Sequence, residues 1–181
     1  SIYNEKDYII AIGRLTSQKN FLFLIEAFSK INFKKNLNLL IIGSGELKKE
    51  LTIKIKELNA TDNIKLLGYK KNIFKYLSKS QCFVLTSKWE DPGFVLVEAA
   101  FCKIPILSSK VESGPIEFIG KNENCGYFYK PGSIIDFQKK LKKILSKKNK
   151  KKEMKIINAK YKSQKYSIEN HHNKLISYLQ Y

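Results

Sequence analysis

Arginine is almost absent from this chain: Arg14 is the only one among 34 Lys and Arg residues, in a sequence of 181 residues with a formal charge of +18. Proteins that read DNA or RNA lean on arginine, whose planar fork matches phosphates and guanine edges. Dispersed lysine beside abundant Ile and Asn reads instead as a solvated surface, and nucleic acid is not an expected partner. Cysteine is scarce too. Cys82, Cys102 and Cys125 lie far apart with no C-x-x-C spacing, which indicates neither a zinc site nor a disulfide framework and leaves buried free thiols in a reducing cytoplasm as the expectation. The four aspartates, Asp7, Asp62, Asp91 and Asp136, form no D-x-D pair, so no metal site is expected. No apolar run approaches the roughly 20 residues that a bilayer span needs. Residues 1–7 carry neither an initiator Met nor the charged-then-apolar pattern of a signal peptide, and they read as a cut made in a linker.

What is present can build one core. The 181 residues are 43% hydrophobic, enough for one domain and too few for two of ordinary size. Tyr8-Ile9-Ile10-Ala11-Ile12 reads as a buried strand stopped by Gly13, and residues 20–31 carry Leu22, Ile25, Phe28 and Ile31 at helical spacing. A second unit follows, with strand 37–42, the turn Gly43-Ser44-Gly45, and a helix over 46–58 whose Leu47, Leu51, Ile55 and Leu58 share one stripe. Residues 64–67 form a third strand, 73–77 a helical piece, 82–85 a fourth strand, 95–101 a helix and 104–107 a further strand. Repeated units of this length predict an α/β fold, a doubly wound Rossmann-like parallel sheet covered on both faces. After Pro131-Gly132 the pattern turns to helices alone, over 136–145, 147–159 and 168–179. Leu141, Ile144, Leu145, Met154 and Ile157 supply the apolar positions among many lysines there, which predicts helices with a lysine-rich outer face. Residues 1–165 are assigned to the Rossmann-like domain and 166–181 to a C-terminal helix.

In an open parallel sheet, ligands sit beyond the carboxyl ends of the strands, where helix N-termini present unpaired N–H groups. Four loops should converge there. Gly13-Arg14-Leu15-Thr16-Ser17-Gln18-Lys19 places two cations at the mouth of the site, suited to a diphosphate, although surface charge alone would also account for Lys19. Gly43-Ser44-Gly45-Glu46 allows close backbone approach or is ordinary turn chemistry. Gly68-Tyr69-Lys70-Lys71 faces a base or is a plain turn. The fourth runs from Ser87 to Ala100. Glu90 closes the loop, Pro92-Gly93 opens the helix and leaves its first N–H groups for phosphate oxygens, and Glu98 lies in an otherwise apolar helical stretch. A carboxylate there needs partners against desolvation, such as ligand hydroxyls, unless it stands on the exposed side of the helix.

G-R-L-x-x-x-K followed by an apolar helix, then I-I-G-x-G-E, L-G-Y, and E-x7-E running into E-A-A-F-C-K-I-P-I, resembles the donor domain of family four retaining glycosyltransferases with GT-B architecture. The match runs in order over nearly the whole chain. It implies the C-terminal half of a GT-B fold, a UDP- or GDP-sugar as donor substrate, no metal, and a hexosyl transfer with retention of anomeric configuration. By resemblance, Arg14 and Lys19 bind the donor diphosphate, Glu90 the hydroxyls of the transferred sugar and Glu98 the ribose hydroxyls, with Glu90, Arg14 and Lys19 as the catalytic set. Gly13, Tyr69, Gly93 and Phe94 complete the expected donor site. Many relatives read E-G-F-G-L where this chain has Glu90-Asp91-Pro92-Gly93-Phe94, and Pro92 can donate no N–H, so Gly93 and Phe94 are the expected backbone donors. The segment Ser113-Gly114-Pro115-Ile116-Glu117 resembles bacterial polysaccharide transferases.

The resemblance further implies a saccharide or lipid-linked acceptor, an N-terminal domain of the same enzyme, and a cytoplasmic protein in cell-surface polysaccharide assembly, with peripheral contact at the inner face of the membrane left open. Two other readings stay open at this point. One is a nucleotide-sugar epimerase of the same architecture. The other is a non-catalytic basic module that binds RNA or a membrane surface.

Overall fold

The computed structural model describes residues 8–31, 37–146 and 150–166. Six parallel strands form one sheet in the order β3-β2-β1-β4-β5-β6. The strands are β1 (Tyr8–Ile12), β2 (Asn38–Ile42), β3 (Ile64–Gly68), β4 (Phe83–Leu85), β5 (Ile106–Ser109) and β6 (Tyr127–Tyr129). Between and after them run α1 (Phe21–Ser29), α2 (Lys48–Glu57), α3 (Phe74–Leu77), α4 (Phe94–Phe101), α5 (Gly114–Ile119), α6 (Ile134–Leu145) and α7 (Lys150–Gln164). The doubly wound sheet expected from the alternating pattern is therefore observed.

Strands covered on both faces lose the polar alternation of half-exposed ones and read as continuous apolar runs. Along β1, Ile9 and Ala11 enter one core layer with Phe21, Leu24, Leu51 and Phe137, while Tyr8 and Ile10 enter the other with Leu77, Leu96 and Phe118. Helices α1, α2 and α6 thus cover one face, and α3, α4, α5 and α7 the other. From β1 the chain proceeds outward to β2 and β3, then returns to β4 on the other side of β1. The crevice between β1 and β4 is the topological switch point, where helices leave in opposite directions and a ligand can enter between their loops.

Two elements carried no usable periodic signal. Strand β6 is a three-residue aromatic run, and α5 is a six-residue helix opened by Gly114-Pro115, which reads locally as a breaker. One expectation is corrected. Met154 and Ile157 do not face the core: they are 57% and 60% exposed, and α7 buries Ala159 and Ser163 instead. The small residues let α7 lie close against α4, while lysine stems fill the flanks. The helix expected over 168–179 and the C-terminal segment 166–181 lie outside the described residues, apart from Tyr166.

The turn after β2 sets where the site loops can lie. Gly43 has φ +147°, and a Cβ on it would meet the Gly13 carbonyl oxygen at 1.8 Å. That carbonyl belongs to the first turn of the β1–α1 loop, whose Leu15 N–H donates to Ser44 O at 2.8 Å. Gly43→Ala is expected to destabilise the protein by at least about 2 kcal/mol in urea unfolding, through strain combined with a backbone clash. Gly132→Ala is the control: φ is +75° and open space surrounds its Cβ position. It should lose only about 1 kcal/mol.

Candidate donor site at the switch point

The loops after β1 and β4 meet across the crevice. Lys19 runs its stem along Gly13, where an added Cβ would stand 3.0 Å from the lysine Cε, and so the glycine makes room for the side chain to cross. Its Nζ donates to both carboxylate oxygens of Glu90, at 2.7 Å to Oε1 and 2.6 Å to Oε2. Ser87 Oγ donates to Oε2 at 2.7 Å. The side chains of Lys19 and Glu90 are only 13% and 7% exposed, so each charge is compensated chiefly by the other.

Four further bonds fix the two loops and their neighbour. Gln18 Nε2 donates to Trp89 O at 3.0 Å, and the Lys88 N–H donates to Gln18 O at 2.8 Å. Thr86 Oγ1 donates to Lys19 O at 2.8 Å, and Ser109 Oγ at the end of β5 donates to Ser87 O at 2.7 Å. On the far side of Glu90, the Gly114 N–H donates to Glu90 O at 3.1 Å. The carboxylate is therefore held by its own loop and by the β1–α1 loop, and the Glu90 backbone by the segment that opens α5.

Gly93 lies at the N-cap of α4 with φ 73° and ψ 49°, a left-handed conformation suited to glycine. No side chain caps this end. The first N–H groups of a helix have no intrahelical acceptor, so α4 presents donors and the positive end of its dipole beside Glu90. Phe94 follows at 62% exposure.

Further along α4, Glu98 is half-buried, and burial pushes its carboxyl pKa above the ordinary range. Arg14 is exposed on the first loop, and Tyr69 is 73% exposed after β3.

Gly13, Arg14, Lys19, Tyr69, Glu90, Gly93 and Phe94 thus lie on loops or a helix start after the strands, whereas Glu98 lies inside α4. The direct pairing of Lys19 with Glu90 was not foreseen, since the sequence reading gave them separate partners. Thr86 and Ser109 were missed, and Ser87 was named as the start of its loop without a role. Their signal was small hydroxyl residues ending apolar strands, where Leu or Val would have continued the core.

Residues 1–163 match the family model described as glycosyl transferases group 1. The chain belongs to this family. It is 41% identical over 120 residues to an uncharacterized glycosyltransferase of Methanocaldococcus jannaschii, covering 66% of this chain and 30% of that protein. It is 37% identical over 116 residues to N-acetylgalactosamine-N,N'-diacetylbacillosaminyl-diphospho-undecaprenol 4-alpha-N-acetylgalactosaminyltransferase of Campylobacter jejuni, covering 64% of this chain and 31% of that protein. Among solved structures, a TarM mutant of S. aureus in complex with fondaparinux, alpha-GlcNAc-glycerol and UDP superposes with a TM-score of 0.83 at 25% identity, covering 97% of this chain and 36% of that one. The chain spans about a third of the length of these relatives.

Membership in this family leaves the half-buried Glu98 testable by stability alone. Because burial raises its folded-state pKa, the favourable contribution of protonated Glu98 is complete below the unfolded carboxylate range and is lost as pH rises through the raised value. Above the raised value, the desolvated carboxylate opposes folding. Glu98→Gln should therefore melt no lower than the unaltered protein at pH 7, and any advantage should shrink toward about pH 4, where the unfolded carboxyl is itself half protonated. Thermal melts at the two pH values make the comparison.

Proposed function

We propose that this chain is the donor-binding half of a glycosyltransferase that takes a nucleoside-diphosphate sugar and passes the glycosyl group to a saccharide or lipid-linked acceptor. The observation that carries this reading is the Lys19–Glu90 pair, set at the switch point beside the uncapped start of α4. A cation, a carboxylate and free backbone donors meet there, which are the groups that a diphosphate joined to a sugar requires. The UDP in the TarM complex and the undecaprenol diphosphate in the name of the Campylobacter enzyme support the donor and acceptor classes. The named relatives are transferases, which favours transfer over epimerisation.

The diphosphate takes the N–H groups at the start of α4, from Gly93 and Phe94, together with the Arg14 guanidinium and the Lys19 ammonium. As the glycosidic bond breaks, negative charge grows on the leaving phosphate. These fixed donors and cations stabilise it without a metal. Glu90 accepts hydrogen bonds from hydroxyls of the transferred sugar, Glu98 from the ribose, and the Tyr69 loop faces the base. Donor binding exchanges partners: phosphate oxygens replace Glu90 at Lys19, and sugar hydroxyls replace Lys19 at Glu90. Retention of anomeric configuration is the outcome that the family resemblance implies.

An N-terminal half of the same enzyme binds the acceptor, and closure of the two halves completes the site, so that this half alone binds donor and transfers sugar poorly. Cell-surface polysaccharide assembly in the cytoplasm is the setting we infer, with the lipid-linked saccharide in the Campylobacter enzyme's name as its support.

Calorimetry of the full-length protein with UDP and GDP, with and without a chelator, tests this reading. Binding of one nucleotide that is unchanged by the chelator is expected. Glu98→Gln should weaken it by about 1–3 kcal/mol, the scale of a hydrogen bond to a charged group. Glu90→Gln should reduce turnover far more than nucleotide affinity, because contact with the transferred group strengthens as positive charge develops at the anomeric carbon. Loss of binding on chelation, or equal losses in turnover and affinity for Glu90→Gln, would contradict these roles.

A further inference from the structure

Helix α7 is built inside out. The side chains it buries are the small Ala159 and Ser163, whereas Met154, Ile157 and Tyr161 stand 57%, 60% and 68% exposed. At positions i, i+3 and i+7 these three share one face of the helix. Beyond them, Lys160 holds its ammonium 3.3 Å from the centroid of the Phe101 ring, and Phe101 is itself 56% exposed and in edge contact with Phe74. Exposed large apolar side chains are thus present both on α7 and at the end of α4.

The orientation is fixed by lysines that point the wrong way for a solvated helix. Lys152 donates to Ile144 O at 2.9 Å, Lys155 to Glu123 O and Gly126 O, and Lys162 to Glu117 O. Rotating α7 to bury Met154 and Tyr161 would strip these carbonyls of their donors. Lys150 and Lys151 remain exposed at the start of the same helix, and Lys165 just past its end.

An exposed ridge of large apolar side chains between lysines, on a helix pinned in that orientation, has the complementary chemistry of an anionic bilayer surface. Apolar side chains enter the boundary between headgroups and acyl chains, and ammonium groups meet lipid phosphates. RNA would engage the lysines and leave Met154, Ile157 and Tyr161 without a role. A second copy of the chain would bring +18 against +18. We propose that α7 docks the protein on an anionic lipid surface through Met154, Ile157 and Tyr161, with Lys150, Lys151 and Lys165 contacting lipid phosphates.

Flotation of the full-length protein with vesicles of mixed phosphatidylglycerol and phosphatidylcholine, and with phosphatidylcholine alone, tests the proposal. Binding to the anionic vesicles only is expected. The combined variant Met154→Ser, Ile157→Ser, Tyr161→Ser should lower that partitioning by at least about tenfold. Lys150→Gln, Lys151→Gln, Lys165→Gln should lower it about fivefold per lysine. Both variants replace exposed residues, and UDP affinity measured on the same samples should be unchanged. That second readout separates failure of the membrane proposal from failure of the donor-site reading. Anionic-vesicle binding that persists at full strength in the serine variant would overturn the proposal in favour of general polyanion attraction. No preference for anionic vesicles, or a dimer abolished by the serine variant in protein that ignores vesicles, would overturn it as well.

Discussion

Two opposite charges that the protein interior would not accept singly organise this domain. Lys19 and Glu90 are separated by 71 positions in the chain, yet they meet within 2.6 Å with little exposed surface. A buried ion pair adds little net stability compared with apolar packing, but removing one partner strands the other charge at considerable cost. The consequence is geometric. The loops after β1 and β4 must close on each other, and the surrounding bonds from Gln18, Thr86, Ser87, Ser109 and Gly114 follow from that closure. The start of α4 is then held beside the pair, so that a cation, a carboxylate and the N–H groups of a helix start share one crevice.

Under the proposed function, this arrangement also explains why two charges can be retained in a crevice that receives a charged ligand. In that proposal, each member of the pair stands in for what the other would bind. The Glu90 carboxylate occupies Lys19 as a phosphate would, and the Lys19 ammonium and Ser87 hydroxyl occupy Glu90 as sugar hydroxyls would. Desolvation of both side chains has already been met by folding, so the proposed donor binding would exchange their partners without desolvating them anew. Glu98 differs. It is half-buried, and its raised pKa marks a group whose folded environment favours the neutral form.

Much of this was legible in the sequence, for reasons that differ by element. The apolar runs of β1 and β2 declare strands buried on both faces, and the stripe Leu47, Leu51, Ile55 and Leu58 declares the helix between β2 and β3, because burial imposes periodicity. Positions of Arg14, Lys19, Glu90 and Glu98 were legible because strand ends and helix starts locate the ligand side of a parallel sheet. The pairing of Lys19 with Glu90 was not, since no local pattern records which loops touch across a crevice. Short β6 and α5 escaped because three and six residues hold too few repeats to show a period. The rotation of α7 was misread for a physical reason: its apolar residues were assigned inward, whereas Ala159 and Ser163 allow close packing and the flanking lysines bury their stems while donating to loop carbonyls.

The claim on which the account rests is that Lys19 and Glu90 act as one unit joining two loops. A double-mutant cycle with Lys19→Met, Glu90→Gln and the combined variant, followed by urea unfolding, measures that directly. The account predicts that each single change destabilises the domain and that the pair is recovered in part by the double change, with a coupling of roughly 1–3 kcal/mol. Single effects that simply add, to within about 0.5 kcal/mol, would contradict it.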